Sequence, residues 1–82
     1  MDKDILSRLD NHFESLEGRI QAGVRMLGLY EQKSADEKRI TDLKLKLDIH
    51  VEDLERFYQA FPEIQSEERD SRITSYKVYK IP

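Results

Sequence analysis

Leu27-Gly28-Leu29-Tyr30-Glu31-Gln32-Lys33-Ser34-Ala35-Asp36-Glu37-Lys38-Arg39-Ile40 joins two heptad patterns that cannot belong to one continuous helix. Before it, Leu6, Leu9, Phe13, Leu16, Ile20, Leu27 and Tyr30 follow one a/d register. After it, Ile40, Leu43, Leu47, Leu54, Phe57 and Phe61 follow another. Leu27 and Ile40 are thirteen residues apart, one short of two heptads. A continuous coiled coil absorbs that slip only by overwinding, and on a straight helix the two stripes face opposite sides. The chain therefore turns between them. Ser34 followed by Glu37 has the form of a capping box, and an apolar periodic run begins at once behind it. The slip and the cap coincide, and a short connection of this kind joins antiparallel helix neighbours.

The expectation outward from this turn is a single all-α unit over residues 1–82, a coiled-coil-like helical hairpin with an extended C-terminal arm. Helix 1 spans about residues 3–30, the turn 31–34, helix 2 35–61, a loop 62–71 and the arm 72–82. The acids of Asp2-Lys3-Asp4 suit the positive end of the first helix dipole. Gly18, Gly23 and Gly28 each cost about 1 kcal/mol against Ala inside a helix. Gly23, at a d position, leaves a hole or admits a close neighbour. Gly28 either ends helix 1 in a Schellman motif, with Leu29 folding back on Val24, or is passed through by a helix that continues over Glu31-Gln32-Lys33.

Residues 43–52 alternate apolar and polar, as a half-buried strand does. Two features favour a helix instead. Opposite charges recur at i,i+4 in Lys38–Asp42, Asp42–Lys46, Lys44–Asp48 and Glu52–Arg56. Leu and Lys are also better helix formers than strand formers. On that helix Leu45 and Ile49 fall off the main stripe and form a second apolar strip that needs cover from another chain. Pro62 closes the element, because the residue before a proline is pushed out of the helical region. Residues 65–71 are polar and read as a loop. Arg72-Ile73-Thr74-Ser75-Tyr76-Lys77-Val78-Tyr79-Lys80-Ile81 is rich in β-branched and aromatic residues and reads as an extended segment. Ile73, Tyr76, Val78, Tyr79 and Ile81 are then anchors for a neighbouring subunit, because an isolated strand is not stable in water.

Composition narrows the function. Charged residues are 38% of the 82, and Gly plus Pro only five, a profile of long helices. A domain this small is marginal alone and has no cysteine with which to staple itself, so self-association is expected. The net charge of −3 argues against nucleic acid as the main partner. Residues 47–70 hold eight acids against two bases, and residues 71–82 three bases and no acid, so a basic tail can dock on an acidic surface, its own or a neighbour's. No apolar run is long enough for a membrane span or a signal-peptide core, which implies a cytoplasmic protein or one incorporated in a virion.

Chemistry is not indicated. His12 flanks core Phe13, and His50 sits at a d position among Asp48, Glu52 and Asp53. A metal reading of His50 with Asp53 is outweighed by a polar core residue that specifies register. Phosphate loops, HExxH and nucleophile motifs are missing from the sequence, so no enzyme and no cofactor is expected. Phe13, Tyr30, Phe57, Tyr58 and Phe61 lie at core spacing, whereas Tyr76 and Tyr79 fit an interface. The pattern is common to many small helical proteins, minor structural proteins of phage particles and small regulatory adaptors among them. The functional expectation is a non-enzymatic structural or adaptor subunit, a homo-oligomer contacting other subunits of an assembly and plausible in a phage-type particle. The alternative is a small acidic regulator or inhibitor that binds a host protein through its helix face.

Overall fold

The computed structural model describes residues 2–33 and 36–80. Its elements are α1 (Lys3–Gln32), α2 (Glu37–Ala60), a 3-10 turn (Pro62–Ile64), α3 (Glu67–Tyr76) and a second 3-10 turn (Lys77–Lys80). The fold is all-α, and α1 and α2 pack as the expected helical hairpin. The alternating stretch 43–52 is helical throughout.

Each helix start has a side-chain cap. Asp2 accepts from the Asp4 N–H at 3.1 Å. α2 opens on Asp36, which accepts from the Arg39 N–H at 3.0 Å. The cap expected at Ser34 lies outside the described residues, as does Ala35. Of the two fates open to Gly28, the structure takes continuation, since α1 runs on to Gln32. Pro62 ends α2 as expected: Phe61 sits at φ −129°, ψ 81°, and Pro62 opens the 3-10 turn.

The C-terminal segment corrects the sequence reading. Residues 67–80 are neither a loop nor an extended arm but α3 and its 3-10 continuation. Ser66 caps α3 by accepting from the Arg69 N–H at 3.2 Å, and Glu67, Glu68 and Asp70 fill its first turn. The β-branched residues that suggested a strand cost a helix less than about 1 kcal/mol each, which the cap and the burial of one face outweigh. That face places Arg69, Arg72, Ile73 and Tyr76 three or four residues apart.

Packing follows the two stripes. Phe13, Ile20 and Leu54 are fully buried, and Leu16, Val51 and Tyr58 complete the hairpin's core. Ile64, Ile73 and Tyr76 close it from the third side. The molecule is a rod of 48 × 20 × 16 Å. Its radius of gyration, 14.5 Å, exceeds the roughly 12 Å of a compact domain of this length. The reason is helix length. The thirty residues of α1 span about 45 Å, while the ten of α3 span about 15 Å. The third layer therefore covers only the end of the hairpin nearest the termini.

Gly23 sets the hairpin's spacing near its open end. A Cβ there would stand 2.5 Å from Leu47 Cδ2 and 3.2 Å from its Cγ, and Leu47 is 1% exposed. The hole left by the glycine is filled by this leucine. Gly18 and Gly28 have nothing within 4 Å of an added Cβ. Gly18→Ala is accordingly expected to raise stability by up to about 1 kcal/mol. Gly23→Ala should lower it by about 1–2 kcal/mol, overpacking outweighing the propensity gain. Chemical denaturation of the two variants checks the opposite signs.

Candidate functional site

α3 is held on the hairpin by a polar network grown around one carboxylate. Glu17 lies on the flank of the α1 stripe and is 6% exposed. Its Oε2 accepts from the Tyr76 hydroxyl at 2.5 Å and from Arg72 Nε at 2.8 Å, and its Oε1 from Arg72 Nη2 at 3.1 Å. Gln21, one turn on, donates to the Tyr76 hydroxyl at 3.1 Å. Burial pushes the Glu17 carboxyl up, but the hydrogen bonds from Arg72 and Tyr76 and the nearby guanidinium charges outweigh it and hold the carboxyl below the ordinary Glu value. Burial, then the bond to Glu17, raises the Tyr76 phenol.

Further contacts fasten the rest of the segment. Arg69 donates to Asp10 Oδ1 and to the Ile64 carbonyl, both at 2.9 Å, with its guanidinium 4.5 Å from the centre of the Phe13 ring. Tyr58 turns the corner from α2: its hydroxyl accepts from the Ser66 N–H at 2.8 Å and donates to Asp70 at 2.6 Å. Burial, then the Asp70 bond, raises its phenol. Past α3, Tyr79 donates to Asp48 at 2.6 Å and Lys77 pairs with Glu55 at 2.9 Å. The basic tail thus docks on the acidic surface of its own chain.

Beyond Tyr76 the third layer runs out, and a groove of about 970 Å³ opens between α1 and the last turn. Val24, Leu27 and Gly28 line it on one side and Tyr76, Val78 and Tyr79 on the other, and its charged residues are Arg25, Lys44 and Glu31. Val24 and Val78 are exposed. Neither Arg25 nor Lys44 forms an ion pair among the described residues. Residues 19–47 hold seven Lys and Arg against four Asp and Glu, a net +3, so the remainder of the chain carries −6. The open end is cationic and the capped end anionic.

The residues expected at an interface separate into two groups. Ile73 and Tyr76 are buried in the chain's own core, and Tyr79 is half-buried against α2. Leu45, Ile49 and Val78 are exposed. Ile81 lies outside the described residues. The Glu17–Arg72–Tyr76 network was not foreseen. Its signal was the run of Arg69, Arg72, Ile73 and Tyr76 at helical spacing behind a Ser66 cap. His12 packs edge-on against Phe57, ring centres 4.6 Å apart, and His50 is half-buried. Among the described residues no three of His, Cys, Asp and Glu are grouped to hold a metal ion, and no helix is long and apolar enough to cross a membrane.

Stability should depend on pH at both extremes. Glu17, lowered on folding, contributes stability that is complete above its ordinary value of 4.5 and is lost as pH falls through the lower folded value. Tyr58 and Tyr76, raised on folding, contribute stability present below 10.0 and lost as pH rises through their folded values. The melting temperature is expected to fall outside those limits. Glu17→Gln should lower it at neutral pH, flatten the acid limb and weaken the Tyr76 share of the alkaline limb while leaving the Tyr58 share, as read by circular dichroism from pH to pH.

Compared with protein-family models, curated proteins and solved structures, the chain matches none.

Proposed function

We propose that this chain is a non-enzymatic structural or adaptor subunit that assembles with copies of itself. The observation that carries this reading is the groove at the open end of the hairpin, with Val24, Gly28 and Val78 along it. A third layer that stops short leaves apolar side chains in water, and on a small protein such a patch marks a protein-binding surface. Ile5, Met26, Leu29, Leu45 and Ile49 add further exposed apolar area, and so short a chain gains stability from a larger shared core. The place of such a subunit is within a larger assembly, a phage-type particle being the case expected from the sequence.

A second reading, a small acidic regulator acting on a basic site of another protein, draws on the net −6 outside residues 19–47. The two differ in mass. Light scattering of the purified chain at micromolar to millimolar concentration is expected to give a multiple of 9.8 kDa. A monomer throughout that range would overturn self-assembly and favour the regulator.

A further inference from the structure

The C-terminal segment is attached differently from the two helices it covers. α1 and α2 meet along apolar stripes, with the Phe13 and Tyr58 rings 5.5 Å apart in their shared core. α3 buries only Ile73 and Tyr76, and a helix of ten residues is too short to persist free in water. Polar contacts hold the rest of it. Arg69–Asp10, Arg72–Glu17 and Lys77–Glu55 all join this segment to the hairpin, and Tyr76 and Tyr79 donate to Glu17 and Asp48. Each of these contacts ends on a carboxylate of α1 or α2. The link before α3 is extended, with Gln65 at φ −73°, ψ 138° and Ser66 at φ −153°, ψ 157°. On its near side Ile64 is 4% exposed and packs in the core. The link is thus a hinge, anchored at one end and carrying α3 at the other.

Charge is arranged around that hinge in one cluster. Asp10 and Glu14 of α1, Glu63 of the 3-10 turn, and Glu68, Arg69 and Arg72 of α3 line a common cleft. Glu17 lies against Arg72 and accepts from Tyr76. From α2, Tyr58 reaches the same seam through Ser66 and Asp70. Arg69 and Arg72 are one turn apart, with side chains only 17% and 34% exposed. While the acids are ionised, these two cations are compensated. Arginine does not lose its proton in a protein. When the acids are neutralised, two partly buried guanidiniums remain side by side without counter-charge, an arrangement that is costly unless they move into water.

We propose that α3 and the 3-10 turn after it form an acid-released strap: neutralising the carboxylates that hold Arg69 and Arg72 opens the segment at Gln65 and Ser66 while the α1–α2 hairpin stays closed. Opening uncovers Phe13, which is 0% exposed and lies 4.5 Å from the Arg69 guanidinium. The Glu17 carboxyl is held below its ordinary value, so its contact is kept above that value and lost as pH falls through the lower folded one. A single cooperative acid transition would lose all three helices together, whereas the strap opens as a unit of its own. The device does not depend on the assembly role proposed above.

Nitrogen-15 relaxation on the full chain tests this at neutral pH and at about pH 3, below the ordinary carboxylate values. In acid the α3 amides are expected to fall from order parameters of about 0.85 to below about 0.6, while those of Phe13, Ile20 and Leu54 stay high. The helical circular-dichroism signal should drop by about one sixth, since α3 contributes ten residues beside thirty and twenty-four. Glu17→Gln opens the strap without acid. Hydrogen exchange at neutral pH should show α3 protection at least about tenfold lower than in wild type, with the Phe13, Ile20 and Leu54 amides changed by less than about twofold. If α3 stays rigid in acid, or the hairpin amides are lost with it, there is no separate strap. Equal loss of protection throughout Glu17→Gln would also overturn it. Should that variant not fold, the acid series on wild type decides alone.

Discussion

The buried carboxylate of Glu17 is the constraint on which the arrangement of this protein depends. α1 carries it on the flank of its apolar stripe, where a two-helix hairpin alone would leave it beside the core. A charge in that position is costly to bury unless it is paired and fully hydrogen-bonded. Arg72 and Tyr76 supply the partners, three accepted bonds in all. A single turn of α3 can deliver both only if the C-terminal segment is helical and lies against α1. The network thus selects one conformation for a segment whose composition also suits an extended strand. Every buried side-chain nitrogen and oxygen among the described residues has a partner, so the polar seam adds specificity without leaving an orphaned group.

Helix lengths determine what remains uncovered. α1 and α2 are long and α3 is short, so the three-layer core around Phe13, Leu54 and Ile73 gives way to a bare hairpin toward Leu27. There the two helices must close on each other without a third. Gly23 allows this by giving Leu47 the space a side chain would have taken. The same end gathers positive charge and keeps Val24, Met26, Leu29 and Leu45 in contact with water. The polar network and the three-layer core lie at one end of the rod and the apolar groove at the other.

The hairpin was legible in the sequence because a break in a heptad register is a periodic signal, and periodic signals survive local ambiguity. The alternating stretch from Leu43 to Glu52 shows this: its i,i+4 charge pairs and good helix formers argued correctly against its strand-like alternation. The exposure of Leu45 and Ile49 was also readable, since residues off the stripe face away from the core. The C-terminal segment departs from its sequence pattern for two physical reasons. Ile73, Thr74, Tyr76, Val78 and Tyr79 carry strand propensity, a weak bias that burial overrides. The stronger helix-start signal, Ser66 followed by Glu67 and Glu68, sits inside a polar stretch that also suits a loop. Tyr76 resembles an intermolecular anchor in sequence because its partner, Glu17, is 59 residues away, and no local pattern reports a contact of that range. Gly23 announced a close approach without naming Leu47, which required the helix pairing.

The most direct test of this account is whether the C-terminal segment folds on its own chain. An isotope-filtered nuclear Overhauser experiment on an equal mixture of labelled and unlabelled protein separates contacts within a chain from contacts between chains. The predicted result is that the Tyr76 ring contacts Gln21, and the Arg69 side chain contacts the Phe13 ring, in the intramolecular set and not in the intermolecular one. Finding those contacts only between chains would contradict the account, since α3 would then be an exchanged arm and Glu17 would take its partners from a neighbour.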